Sequence, residues 1–247
     1  MLTKTSQPMR QTNTISPCAS CPRSKTGFCG AILGSERDNA SRPDWQHHFV
    51  VGPNKQVIAS NQPSPDVFVL CNGWALRFLQ LPDGRRQILN FLLPGDLFSA
   101  SSLFQDRVHF SVKALTAIQV SGMNRSEVQS RITKNPSVAA PAVGISCSAE
   151  TEASEKMLAA IGLCSAEERI AYLFLHLMKR VGERNIIREN RYPLPLRQQD
   201  IAEAVGLTPV HVSRILRAFR EKGIADLSSG VLEVFNLREL QRLASVE

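Results

Sequence analysis

Long apolar segments are absent from this 247-residue sequence, and aromatic residues are scarce at 6%. No apolar run approaches the roughly 18 to 20 residues that a membrane span requires. The N-terminal region also lacks the apolar stretch of a secretory signal, because Met1 to Ile15 is mostly Ser, Thr, Asn and Gln. We therefore expect a cytoplasmic protein with no membrane partner.

Acidic residues are fewer than basic ones. The sequence has 22 Asp and Glu residues and 29 Lys and Arg residues, which gives a formal net charge of +7. This balance indicates an anionic partner, with nucleic acid as the leading candidate. The hydrophobic share of 43% is ordinary for a globular protein and excludes a wholly disordered chain.

Cysteine occurs at six positions, three of which lie close together. Cys18, Cys21 and Cys29 share a short N-terminal stretch, and the scattered remainder are Cys71, Cys147 and Cys164. In a cytoplasmic chain, cysteines are more often metal ligands, redox sensors or small core residues than disulfide partners. The N-terminal group is therefore the first candidate for chemistry, and the scattered three are expected as small buried residues.

Short alternating runs separated by turn residues fill the segment 54–120. Turn sequences fall at 72–73, 81–84 and 94–96, and a further strand-like run follows at 109–115. Several short strands at about 10-residue spacing predict an antiparallel β-sandwich or barrel.

The pattern changes to helices after Ser121. A short helix is predicted at 126–132 and a long one at 136–163, whose few large apolar residues favour packing along one stripe, including against its own copy. Pro141 predicts irregular first turns in this helix. Ser165 and Glu168 form a capping box for the next helix, with a cap at Gly182, and 188–196 is predicted as an extended linker.

Residues 197–220 have the spacing of a helix-turn-helix. A short helix at 200–205 ends at Gly206, where a sharp turn needs a residue without a Cβ. Thr208 is expected to cap the second helix, and Pro209 suits its first position. The expected buried stripe of that helix is Val212, Ile215, Leu216 and Phe219. Residues 223–235 then predict a small hairpin, the wing of a winged helix.

The outer face of the second helix is polar and basic. It consists of Val210, His211, Ser213, Arg214 and Arg217. An arginine placed there can donate to guanine O6 and N7 in the major groove. A solvated amphipathic helix pair has a similar pattern, but the turn spacing together with the basic face favours DNA binding. Thr208 and Pro209 complete the predicted DNA-binding set.

In this order of parts the chain resembles the bacterial CRP/FNR family of transcription regulators. The resemblance covers roughly residues 45–240. Its motifs are Leu93-Pro94-Gly95-Asp96-Leu97, the strand pair 110–120, Asn135-Pro136, Arg169-Ile170-Ala171, and the helix-turn-helix from Gln199 to Leu216. It implies an α+β fold with a cyclic-nucleotide-binding-like antiparallel β-roll, a long dimerisation helix and a C-terminal winged helix-turn-helix.

The resemblance also implies domain boundaries. A flexible N-terminus with a cysteine loop spans 1–44, the β-roll sensor 45–134, the dimerisation helix 135–164, and the winged helix-turn-helix 165–247. Within the last part, Arg214 matches the family's guanine-reading arginine and Ser213 the neighbouring contact residue. Val210 stands where the family often has Glu, so a carboxylate acceptor for cytosine N4 is missing. His211 is expected to face solvent or phosphate.

Cyclic AMP does not fit the sensor half. Members of the family that bind it carry Gly-Glu where this chain has Ser99 and Ala100. They also carry Arg-Ser or Arg-Thr further on, for which Arg107 is only an approximate substitute. We therefore expect a regulator that does not respond to cyclic AMP.

The N-terminal cysteines resemble those of the FNR branch, which hold an oxygen-labile [4Fe–4S] cluster. The resemblance implies Cys18, Cys21 and Cys29 as metal ligands. The fourth ligand of that pattern falls on Ser121, so the alternatives are Cys71, a non-cysteine ligand or loss of the cluster. A zinc site, a thiol redox switch and nitric oxide sensing also stay open.

Together these features predict a homodimeric, oxygen- or redox-responsive transcription regulator. Its partners are double-stranded DNA with a near-palindromic site, half-sites about one helical turn apart, and RNA polymerase. A sensor that acts through protein contacts is the alternative. The sequence has no phosphate-binding Gly-rich loop and no nucleophile–base signature, so we expect no enzyme.

Overall fold

The computed structural model describes residues 18, 21, 27–34, 45–184 and 190–244. The predicted polar lead at 1–16 therefore lies outside the described residues, as do the start of the predicted linker (188 and 189) and the last three residues. Within the N-terminal region, helix α1 spans Gly27–Leu33. Among the described residues, no helix is both long and apolar enough to cross a membrane.

Seven strands form the β-roll. They are β1 (His47–Val51), β2 (Gln56–Ile58), β3 (Asp66–Asn72), β4 (Ala75–Gln80), β5 (Arg86–Leu92), β6 (Ser111–Ala114) and β7 (Ile118–Asn124). They make two antiparallel sheets with strand orders β1-β7-β3 and β2-β6-β4-β5. Apolar residues such as Phe68, Leu70, Val112 and Val120 are buried together in one cluster. The predicted antiparallel roll is confirmed.

Two helices follow the roll, α2 (Arg125–Lys134) and α3 (Pro136–Leu163). Only Ala139 and Ala160 are fully buried along the 28 residues of α3, in keeping with a helix that packs along one stripe. The expected irregular first turns are wrong, because α3 continues without a break through Pro141. Pro141 lies on the exposed side of the helix, where the carbonyl of the preceding turn can tilt toward water.

The C-terminal part is a winged helix-turn-helix. Its elements are α4 (Ala166–Gly182), β8 (Arg191–Pro193), α5 (Gln198–Val205), α6 (Pro209–Glu221), β9 (Ala225–Ser228), β10 (Val231–Val234) and α7 (Leu237–Leu243). The capping box of α4 is confirmed, with Glu168 accepting from the Ser165 N–H at 2.8 Å. Gly182 is the last helical residue of α4, and Glu183 rather than Gly182 is its cap.

Part of the predicted linker is a strand. Tyr192 on β8 pairs with Leu232 on β10, and β8, β10 and β9 form a three-stranded antiparallel sheet in that order. Pro193 is tolerated because β8 is an edge strand, where a missing N–H removes no interior ladder bond. The predicted wing hairpin is confirmed as β9 and β10.

One apolar cluster joins the roll to the winged part. Phe78 and Phe91 of the roll share it with Phe174 of α4 and Ile201 of α5. At the edge of this cluster, the Asp96 carboxylate accepts hydrogen bonds from two guanidinium groups. One belongs to Arg180 on α4 and the other to Arg184, just after the end of α4. The C-terminal part is thus packed directly on the roll.

His176 on α4 gives the fold a pH dependence. It is half-buried beside a cavity of about 910 Å³ between the roll, α3 and α4. Burial lowers the pKa of His176 from 6.5 to about 4. The positive charge of Arg180 lowers this pKa further, and the negative charge of Asp96 raises it. The folded state therefore resists protonation more than the unfolded state does. This contribution to stability is complete above about pH 6.5 and is lost as the pH falls toward 4.

We expect the free energy of unfolding of His176→Gln to decrease less between pH 7 and pH 5 than that of the wild type. Urea unfolding at the two pH values measures it, with His109→Gln, at an exposed histidine of the roll, as the matched control. The control should lose stability as the wild type does. An equal loss in wild type and His176→Gln would contradict the assignment.

Candidate functional site

The turn between α5 and α6 is fixed by local chemistry. At the start of α5, the Asp200 side chain accepts from the Arg197 N–H at 2.9 Å. At its end, Gly206 adopts a left-handed conformation with φ of 69° and donates its N–H to the Ala202 carbonyl. The Leu207 N–H donates to the same carbonyl at 3.0 Å. These bonds end α5 and redirect the chain within two residues.

The start of α6 is capped as predicted. The Thr208 hydroxyl accepts from the His211 N–H at 3.2 Å, and Pro209 is the first helical residue. Within the predicted stripe, Val212, Ile215 and Phe219 are buried. Its fourth residue, Leu216, is half-buried. The packing of this stripe points the opposite side of α6 to solvent.

The predicted DNA-binding residues share that solvent side. Val210 is 62% exposed, and His211, Ser213, Arg214 and Arg217 are exposed as well. Arg217 donates from Nε to Glu221 at 2.7 Å, which raises the pKa of Arg217. Arg214 makes no hydrogen bond or ion pair with any residue in the described ranges. Its guanidinium group is therefore directed to solvent with its donors available.

Further cations lie around this face. Arg197 precedes α5, and Arg220 and Lys222 lie at the end of α6, all exposed. Lys222 Nζ lies 3.9 Å from Glu167 Oε2 on α4. Several exposed cations thus lie on or next to the two helices of the helix-turn-helix, as expected for a domain that binds a polyanion.

The N-terminal cysteines lie against the roll. Cys18 is buried in an apolar cluster with Phe28 and Met123, and Cys29 packs against the same cluster. The Cys21 N–H donates to the Cys18 carbonyl at 3.3 Å. Cys29 lies in α1, where a loop was expected; its position is fixed by the buried side of this short helix.

Cys71 does neighbour Ser121, as one alternative for the fourth ligand requires. Cys71 Sγ lies 3.0 Å from Ser121 Oγ, and His48 Nδ1 lies 2.8 Å from the same oxygen. The position of His48 was not predictable from sequence, because its pairing with Ser121 depends on strand register across 73 residues. The expected burial of Cys71, Cys147 and Cys164 is wrong, since all three are half-buried.

No three Cys, His, Asp or Glu side chains lie together as a metal-binding group in the part of the chain that the structure describes. Cys18 and Cys29 share an apolar cluster, but Cys18, Cys21, Cys29 and Cys71 are not arranged as one ligand set. The donor chemistry is that of a soft-metal site, with three thiols within twelve residues of chain.

Comparison with known families matches both halves of the chain. Residues 49–135 match the cyclic nucleotide-binding domain, and residues 168–243 match the Crp-like helix-turn-helix domain. The first match names a fold and leaves the ligand open.

Curated relatives span most of the chain. The nitrogen fixation regulation protein FixK of Azorhizobium caulinodans is 31% identical over 180 residues, which cover 73% of this chain and 71% of that protein. The transcriptional activator protein FnrL of Cereibacter sphaeroides is 24% identical over 85% of this chain and 84% of its own length. The structure of FixK2 from Bradyrhizobium japonicum has the same fold, with a TM-score of 0.73 at 24% identity, over 81% of this chain and 98% of that one.

Gly206→Ala tests the turn. A Cβ at this position would have room, because its nearest atoms are Ile161 Cγ2 at 3.8 Å and Arg169 Nη1 at 3.9 Å. The left-handed backbone alone should therefore lower the free energy of unfolding, by about 1–2 kcal/mol. Urea unfolding measures the loss, and Gly206→Asn is the control, because Asn tolerates this conformation better. An alanine variant as stable as the wild type would contradict the role of Gly206.

Proposed function

Because the chain belongs to the CRP/FNR family of DNA-binding transcription regulators, which are not enzymes, we propose that the exposed side of α6 reads DNA sequence in the major groove. The observation that carries this proposal is the exposed Arg214 guanidinium on a capped helix whose opposite side is buried. Arginine donates to guanine O6 and N7 together, which is the commonest base-specific contact in the major groove.

The neighbouring side chains have different parts in this proposal. Ser213 lies beside Arg214 and contacts a base edge, while Thr208, Pro209 and Val210 approach DNA at the start of α6. The N-terminus of a helix favours phosphate, because its N–H groups and dipole are directed outward. His211 and Arg217 contact backbone phosphates, which hold the helix in register without reading sequence.

Regulators of this family act as dimers. In the single chain, α3 leaves large apolar side chains exposed, among them Ile145 at 70% and Leu158 at 72%. Pairing of two α3 helices would cover these residues and relate two α6 helices by a two-fold axis. Such a dimer binds a near-palindromic site with half-sites about 34 Å apart. RNA polymerase is the proposed second partner, recruited at the promoter.

An N-terminal [4Fe–4S] cluster held by Cys18, Cys21 and Cys29 is the proposed signal input. Its support is the thiol donor set and the shared packing of Cys18 and Cys29 against the roll. Cys71 is the proposed fourth ligand, since it lies beside Ser121. Such a cluster supplies a group sensitive to oxygen and nitric oxide. In this chain Cys18, Cys21, Cys29 and Cys71 would have to move together to bind it, because they do not form one ligand set among the described residues.

A regulator without a cluster is the second candidate. It is favoured by the absence of a three-residue metal-binding group within the described ranges. In that case Cys18 and Cys29 are packing residues, and the signal is thiol oxidation, zinc or another input. Metal analysis separates the two candidates.

Arg214→Ala should lower the affinity for a selected two-fold DNA site by about 1–3 kcal/mol, which is roughly 5-fold to 160-fold, and relax specificity at one base pair of each half-site. Gel-shift titration against the site and its single-base variants measures both effects.

Arg85→Ala is the matched control, because it removes the same charge from an exposed turn of the roll. It should leave base preference unchanged. Equal effects of Arg85→Ala and Arg214→Ala would indicate nonspecific charge attraction and contradict base reading by Arg214.

Anaerobic purification should give a brown protein with about four iron and four sulfide per chain, if the cluster is of the [4Fe–4S] type. Cys18→Ser or Cys29→Ser should remove most of the iron, and Cys71→Ser tests the fourth ligand. Cys147→Ser and Cys164→Ser are the controls, because these residues lie on α3 and at its end. A colourless protein with zinc or no metal would refute the proposed [4Fe–4S] cluster and favour the second candidate.

A further inference from the structure

A charged pair connects the roll to the long helix. Arg77 on β4 is only 4% exposed, and its Nη1 contacts the Glu150 carboxylate on α3. The two residues are 73 positions apart in sequence. The pair lies beside the cavity between the roll, α3 and α4.

Two further donors of the roll converge on the same carboxylate. The Ala100 N–H donates to Glu150 Oε2 at 2.9 Å, and the Ser99 hydroxyl lies 3.3 Å from Oε1. Ser99 is 1% exposed. The Arg77 guanidinium, the Ser99 hydroxyl and the Ala100 N–H are named here the carboxylate cradle.

The rest of the Arg77 side chain is enclosed by the roll. Its guanidinium carbon lies 4.9 Å from the centre of the Phe110 ring, and Nη1 also donates to the Phe98 carbonyl at 3.4 Å. A buried guanidinium without a counter-charge is strongly unfavourable. Glu150 is the acidic residue paired with Arg77 among the described residues. The roll therefore needs an anion at this point, and α3 supplies it.

We propose that Glu150 is a built-in anion that satisfies the buried Arg77 guanidinium and thereby fixes α3 on the roll. This deepens the proposed function, because it assumes that α3 sets the spacing of the two DNA-reading helices. Glu150 is a positioning residue: it holds α3, and α3 leads through Ser165 into α4, which packs on the helix-turn-helix.

Removal of Glu150 should leave an empty cradle that a small carboxylate can fill. Glu150→Ala should lower the Tm by about 5–10 °C, as expected for breaking a buried ion pair in a domain of this size. Sodium acetate should restore most of that loss, measured against sodium chloride at equal ionic strength. The wild type should show no such difference between the two salts.

The double variant Arg77→Met/Glu150→Gln is the matched control. It removes both charges, so its Tm should lie above that of Glu150→Gln alone, and neither should respond to acetate. If Glu150→Ala folds only in acetate, the proposal is supported. If Glu150→Ala folds in neither salt, the comparison of Tm between the double variant and Glu150→Gln tests the proposal instead. A double variant with a lower Tm than Glu150→Gln would overturn the proposal. Absence of an acetate effect in a folded Glu150→Ala would also overturn it.

DNA binding gives the second readout. Glu150→Ala should bind the selected site at least about tenfold more weakly in sodium chloride, with recovery in acetate. If folded Glu150→Ala binds the site in sodium chloride as tightly as the wild type does, the positioning role of Glu150 is overturned. Failure of Arg214→Ala to affect DNA binding would instead refute base reading and leave the acetate result standing, so the two failures are distinguishable.

Discussion

The apolar side of α4 joins the roll to the helix-turn-helix. Phe174 and its neighbours are buried between the strands of the roll on one side and the helix-turn-helix on the other. Asp96 then accepts from Arg180 and Arg184 at the edge of this contact, and Arg86 of the roll pairs with Glu203 of α5. Burial of apolar surface supplies most of the free energy, and these partly buried pairs fix the orientation. The roll and the helix-turn-helix thus share one continuous apolar cluster.

The long helix α3 differs from α4 in what it buries. Its fully buried residues are two alanines, and larger apolar residues of the same helix are exposed. Met157 and Val143 pack against apolar clusters, and Glu150 adds a polar contact to the carboxylate cradle, whose Arg77 is buried. This division suits a helix that must be placed accurately on its own chain and still keep a surface for a second copy.

Local chemistry made much of the fold predictable. The capping box at Ser165, the limits of α3 and the turn at Gly206 follow from residues within one or two helical turns of each other. Long-range pairing was not predictable in the same way. Strand β8 depends on pairing with β10 about 40 residues later, and the contact of Cys71 with Ser121 depends on strand register across 50 residues. Arg77 and Glu150 carry no sequence signal at all, because a lone arginine in a strand and a glutamate on a helix are ordinary.

In the proposed complex, two copies of α6 related by a two-fold axis present Arg214 to guanines in the major groove. Dimethyl sulfate protection on a selected DNA site reports directly on guanine N7 atoms in that groove. We expect two clusters of protected guanines about 10 base pairs apart, on one side of the duplex. Arg214→Ala should abolish the protection of one guanine in each cluster. A single cluster, or protection that Arg214→Ala leaves unchanged, would refute base reading by paired α6 helices.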